Sequence, residues 1–155
     1  MTNQREDIQM GADDQRTMLE TARTLQVASL NPDGWPHLVP MWFAVNDGGL
    51  VAFTTYYSSQ KVRNLERDPR ITVLVETGDV YNELRGLSID GEAEIVRDPQ
   101  VTFRIRALIS AKHEGKPRPP MTTVPVEDLP KWAFKRVTIL VHPRRARSWD
   151  HSKVR

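Results

Sequence analysis

The chain has no cysteine at all. Disulfides, thiolate metal centres and a cysteine nucleophile are excluded together. No apolar run approaches the ~18 residues of a membrane span. The N-terminal stretch MTNQREDIQMGADDQRT is polar and acidic, without the apolar core of a secretory signal. These absences lead to the expectation of a soluble, cytoplasmic protein with no membrane partner. His37, His113, His142 and His151 are scattered without metal-ligand spacing, so no metal site is expected. There is no repeat and no low-complexity tract. Charge of one sign is also lacking overall, at a net +2. With no base-reading motif either, nucleic acid is not an expected partner.

What is present suits one globular domain. The length is 155 residues, with 39% hydrophobic and 27% charged side chains, enough to bury a core without staples. Charge is uneven along the chain. Glu6, Asp7, Asp13 and Asp14 lead, whereas Lys135, Arg136, Arg144, Arg145 and Arg147 crowd the end. Residues 1–12 read as a flexible arm and 13–155 as a single domain.

Periodicity then orders the elements. Asp13 to Arg23 reads as a helix. Leu25 to Leu30 reads as a strand, and Asn31-Pro32-Asp33-Gly34 as a turn. His37 to Val45 reads as a second strand, apolar at nearly every position, so both its faces should be covered. Pro40 inside it cannot donate to a ladder, which predicts an edge or a break. Leu50 to Thr55 returns after the turn Asn46 to Gly49. Ser59 to Asp68 reads as a short helix, Arg70 to Glu76 as a strand, and Arg85 to Val96 as an alternating, half-buried strand. Asp98-Pro99 opens a helix with Val101, Ile105, Leu108 and Ile109 on one stripe. Residues 114–130 are proline-rich and read as a restrained loop. Arg136 to Val141 reads as a last long-range strand, resumed at Ala146 to Trp149. Local antiparallel hairpins favour a small mainly-β barrel with short flanking helices over a doubly wound sheet.

Chemistry gathers where a strand runs into a helix, at Thr54-Thr55-Tyr56-Tyr57-Ser58-Ser59-Gln60-Lys61. Free backbone N–H groups at a helix start favour an anion, hydroxyls add donors, and Lys61 adds a charge. On the residues alone this is either a phosphate cradle or a serine-capped helix with a surface lysine.

Four stretches carry a family resemblance: LQVASLNPDGWPHLVPMWF (25–43), FTTYYSSQKVRNLERDPRITVLVE (53–76), RGLSIDGEAEIV (85–96) and ARSWD (146–150). In order and type they resemble the pyridoxamine 5′-phosphate oxidase-like FMN-binding split-barrel superfamily, nearest its deazaflavin (coenzyme F-420)-dependent reductases. The resemblance implies a split β-barrel of about six antiparallel strands and a homodimer with a cofactor at the interface. It implies that Thr54, Thr55, Ser59, Gln60, Lys61 and Asn64 hold the cofactor's phosphate or polyol. Pro40, Met41 and Trp42 would lie along its ring, and His37 would border the pocket.

The turn departs from the FMN oxidases, which carry Ser-Arg-Lys where this chain has Ser59-Gln60-Lys61, and an arginine where it has Val39. Two cations for a phosphate dianion are thus missing, each able to contribute about 1.5–3 kcal/mol. A deazaflavin, whose phosphate is a monoanionic diester, needs less charge, and its acidic tail would suit Arg63, Arg67 and Arg144 to Arg147. The implied activity is hydride transfer from the deazaflavin to a small unsaturated or aromatic substrate. FMN-dependent oxidase or reductase chemistry is the alternative, and a non-catalytic flavin, deazaflavin or haem carrier the other. No catalytic side chain is singled out, because the cofactor carries such chemistry; Tyr56, Tyr57 and His37 are candidate proton donors.

Overall fold

The structure, a computed structural model, describes residues 4–154. Its frame is one sheet built from β1 (Thr24–Leu30), β2 (Pro36–Trp42), β3 (Ala44–Val45), β4 (Val51–Tyr56), β5 (Arg70–Thr77), β6 (Arg85–Val96) and β7 (Arg136–Asp150). Every pairing is antiparallel, in the order β2-β1-β5-β6-β7-β4-β3. The first and last members of that order are neighbours in sequence, separated only by Phe43. One extended run therefore pairs with β1 through its first half and with β4 through its second. The sheet curls until its ends meet, which makes a six-membered barrel that is mainly β.

Phe43 is fully buried where the run changes partner. Around it lies a core of Leu25, Val27, Phe53, Val73, Val75, Leu87, Ile139 and Val141, each on the inward side of an alternating strand. Burying side chains of this size contributes about 1.5–3 kcal/mol apiece. The helix α3 (Gln60–Arg67) adds Val62 and Leu65 to this core, and α2 (Ala12–Thr21) adds Met18. On the outer face α4 (Pro99–His113) lays Ile105, Leu108 and Ile109 on Ala44, Ala52 and Leu140. Covered from both sides, β4 is buried at every position from Val51 to Thr55. Asp98 accepts from the backbone N–H of Gln100 at 2.8 Å, capping α4 ahead of Pro99 as its sequence predicts.

Several boundaries differ from the sequence expectation for stated reasons. The first long helix spans Ala12–Thr21 rather than Asp13 to Arg23, because β1 already begins at Thr24. The expected strand over His37 to Val45 is two, divided at Phe43. Pro40 does sit on an edge, since β2 pairs only with β1. The two expected C-terminal strands are one, and its proline is tolerated for a clear reason. Pairing of β7 with β4 stops at Val141, so Pro143 faces an open side and lies opposite Gly91. Arg144 is the extra residue of a bulge there, because Asp90 pairs with Arg145 and Gly91 with Pro143.

The arm expected over residues 1–12 is docked in its described part. It forms a short helix α1 (Gln4–Asp7). Ile8 O then accepts from Asp150 N at 2.7 Å, and the Met10 N–H donates to Ser148 Oγ at 3.0 Å. Met10 enters the core, its side chain replacing solvent with apolar neighbours. Residues 1–3 lie outside the described part of the chain.

The proline-rich loop is tied down by ion pairs. Arg104 holds Asp47 with two bonds of 2.9 Å and donates to Pro119 O and Pro120 O, also at 2.9 Å. Arg118 adds a 2.8 Å bond to Asp47 and one of 3.1 Å to Val45 O. Hydrogen bonds from Arg104 and then Arg118 hold the Asp47 carboxyl well below the usual carboxylate range. The loop is thereby fastened to the β3–β4 turn and to α4.

Candidate functional site

Below Phe43 the barrel is split. Beyond Ala52, β4 pairs only with β7, and β2 pairs only with β1. Each thus presents an open backbone edge from the point where the β3–β4 pairing ends. Pro40 lacks an N–H, which keeps that edge from closing as a ladder. The residues that the sequence singles out flank this split, but they do not all face it.

Strand alternation sorts them. Along β2, Pro36, Leu38, Pro40 and Trp42 are exposed on one face, while His37, Val39 and Met41 are half-buried on the other. Met41 packs against the core. Pro40 and Trp42 therefore face solvent, and Met41 supports the strand from behind. Thr54 and Thr55 also part company. Thr54 lies beside Thr138, which shares a 3.2 Å hydroxyl bond with Thr102 of α4, so it belongs to the outer packing layer. Thr55 turns toward the helix start.

There the polar side chains of this stretch are linked to one another. The Lys61 ammonium donates to Thr55 Oγ1 at 3.0 Å, and Thr55 Oγ1 donates to Ser59 Oγ at 3.3 Å. Ser59 stands at the N-cap of α3 but makes no capping bond with its side chain. Its hydroxyl is turned into the cradle instead, which disfavours a purely capping role. Gln60 donates to Asn64 Oδ1 at 2.9 Å, and Asn64 donates to Ser29 Oγ at 3.1 Å and Asn31 Oδ1 at 3.0 Å. Asn64 is fully buried. Its hydrogen-bonding capacity is used inside the protein, so it positions α3 and Gln60 rather than reaching a ligand. Gln60 and His37 meet across a shallow cavity of about 430 Å³ together with Asn31, Pro32 and Asp33. His37 Nδ1 is buried there without a hydrogen-bond partner.

A residue that sequence reasoning missed completes the cradle. Arg136, the first residue of β7, pairs in register with Tyr56 and lays its guanidinium 4.2 Å over the Tyr56 ring. Burial, and after it the charge of Arg136, push the Lys61 ammonium below its ordinary range. Neither Lys61, bonded to Thr55, nor Arg136, lying over the next residue Tyr56, has a carboxylate bonded to it among the described residues, and unpaired cations at one end of a strand favour an incoming anion. Register between β4 and a strand so much later in the chain is not readable in sequence, which is why Arg136 carries no local signal.

The basic residues proposed for an acidic tail divide. Arg145 and Arg147 are bound to Asp90 at 3.0 and 2.9 Å. Arg67 donates to Leu30 O. Arg70 and Arg144 line an outer-face cavity of about 440 Å³ with Ala28, Leu30, Pro36 and Asp90. Among the described residues no group of three or more histidine or carboxylate side chains is placed to hold a metal ion. No helix there is long and apolar enough to cross a membrane.

At the other end of the split, Lys112 of α4 fixes the strand switch. Its ammonium donates to Leu19 O at 2.9 Å and Phe43 O at 3.3 Å and sits 3.6 Å above the Phe43 ring. Burial pushes this ammonium down to about 8. The unfolded chain, with a lysine near 10.5, then binds more protons than the fold between those values. Stability should therefore rise with pH across that window. In urea unfolding at pH 7.5 and pH 10, the wild type should gain on Lys112→Met as pH rises; parallel curves would contradict the burial.

Comparison with known proteins agrees with this fold. Residues 12–150 match the family model described as pyridoxamine 5′-phosphate oxidase. A conserved hypothetical protein of Mycobacterium tuberculosis is 40% identical, with a TM-score of 0.84 over 99% of this chain and 92% of its own. An F-420 reductase is 30% identical, with a TM-score of 0.64 over 84% of this chain and 94% of its own. A protein of Listeria innocua described as a pyridoxamine 5′-phosphate oxidase is 21% identical over 88% of this chain and 95% of its own, with a TM-score of 0.64, and shares the fold. No curated protein matches the chain. With its barrel closed through one partner-switching strand and its matched residues spanning nearly the whole length, the chain belongs to the pyridoxamine 5′-phosphate oxidase-like, flavin-binding split-barrel superfamily.

Proposed function

We propose that this protein is a deazaflavin (coenzyme F-420)-dependent oxidoreductase that passes hydride to a small unsaturated or aromatic substrate in the cytoplasm. The observation that carries the reading is the pair Lys61 and Arg136, cations with no bonded carboxylate among the described residues at the foot of the split, beside the linked hydroxyls of Thr55 and Ser59. These residues fit a phosphate- or phosphodiester-bearing group. When bound, such a cofactor supplies the hydride chemistry; the chain's part is to hold its anionic end at Lys61, Arg136, Thr55 and Ser59 and its ring along Pro40 and Trp42. The choice of deazaflavin rests on the likeness to the F-420 reductase over nearly all of that protein's length. FMN is the second reading, and Arg136 favours it, since it supplies a cation that Gln60 and Val39 do not.

The site is proposed to be completed by a second copy of the chain. Apolar residues at nearly every position of β2 call for cover on both faces, and one chain covers only one. Leu38 and Trp42 on the exposed face of β2 remain 64% and 56% exposed, and Trp35 just before the strand 73%, large apolar groups of the kind that mark an interface.

Turnover tests the activity. Reduced deazaflavin mixed with the protein and a panel of nitroaromatics and conjugated enones should be oxidised, with absorbance recovering only when protein and acceptor are both present. Binding of the deazaflavin without oxidation by any acceptor would sink the enzyme reading and leave a carrier.

A further inference from the structure

His113 is the last residue of α4, and its ring nitrogen Nε2 is buried without a hydrogen-bond partner. A buried polar atom left unpaired is unfavourable and calls for an explanation. The imidazole stacks on Trp42, with ring centroids 4.0 Å apart and planes 33° from parallel. Trp42 is itself mostly exposed and ends β2 at the head of the split. Its backbone is held, because Lys112 bonds the carbonyl of the next residue, Phe43, and Phe43 is fully buried. The indole lies against the imidazole on one side and is 56% exposed to solvent. Packing alone does not account for the imidazole, since a phenyl ring would stack as well and leave no nitrogen unpaired.

Resting on the cofactor reading above, we infer that His113 is a ligand-binding residue. Trp42 covers its Nε2 until a planar heteroaromatic ring enters the split. With the indole edge shifted aside and still flanking that ring, Nε2 would bond a carbonyl or ring N–H on the polar edge of the ligand. Imidazole suits this task because Nε2 donates or accepts according to tautomer. The cradle of Lys61 and Arg136 at the foot of the split and His113 at its head would then grip the two ends of one molecule.

The test uses the full-length protein with deazaflavin and, separately, FMN as probes. In a proton–nitrogen correlation spectrum, the Nε2 resonance of His113 should move on saturation with whichever cofactor binds. His113→Phe keeps the stack and removes the nitrogen; it should weaken affinity about tenfold, whereas His113→Gln should stay within about threefold of wild type. The spectrum is recorded on the wild type, so a variant that fails to fold does not decide the matter. Saturable binding with an unmoved Nε2 resonance overturns the role of His113 and leaves the cofactor reading standing. Binding of neither cofactor overturns both.

Discussion

Alanine at Gly91 should destabilise the fold by about 3 kcal/mol, a large share of the stability of a chain this size. A Cβ there would lie 2.4 Å from the carbonyl oxygen of His142 and 3.1 Å from its carbon. The obstacle is backbone, in the strand that forms the bulge, so no side-chain rotation relieves it. Either β6 and β7 separate or the bulge slips, and a slip of one residue turns side chains to the wrong face. Gly48→Ala is the control, because its Cβ would meet nothing closer than Asn46 Oδ1 at 3.4 Å, and it should stay within about 0.5 kcal/mol. Urea unfolding of the three proteins checks this. Equal midpoints for wild type and Gly91→Ala would mean that the β6–β7 register is not as described.

The second large effect is on affinity. Lys61→Ala and Arg136→Ala should each weaken binding of a phosphate-bearing cofactor about ten- to a hundredfold, the equivalent of one charge-assisted bond of about 1.5–3 kcal/mol. Stability without cofactor should be unchanged or should rise. The two cations repel each other, and Lys61 is partly buried at the expense of its charge. A melting curve of each variant separates the two quantities. A large drop in melting temperature with unchanged affinity would show that Lys61 and Arg136 hold the fold, not the ligand.

Much of the fold is legible in the chain because its signals are local. Alternation marks β1, β5 and β6, Asp98-Pro99 marks the start of α4, and glycine turns mark the hairpins. Pro40 points to an open edge through its missing N–H alone. The division of one apolar run at Phe43 is not legible, because both halves have the same composition and only their partners differ. The site is readable as a stretch of sequence but not as a surface. Thr54 and Thr55, or Met41 and Trp42, look equivalent as neighbours, and only the direction of each side chain tells a ligand-facing residue from a packing one. Asn64 has the right chemistry for a ligand, yet its partners Ser29 and Asn31 lie more than thirty residues away. Arg136 and His113 reach the split from distant elements through register and helix length, neither of which a short motif encodes.

The proposed function requires that the split receive a deazaflavin at the seat formed by Lys61 and Arg136. Fluorescence titration of the cofactor-free protein with deazaflavin, and separately with FMN, tests it most directly. Saturable deazaflavin binding tighter than FMN binding, with one cofactor per chain, is the predicted result. Tighter binding of FMN would contradict the deazaflavin assignment, and binding of neither would contradict the site.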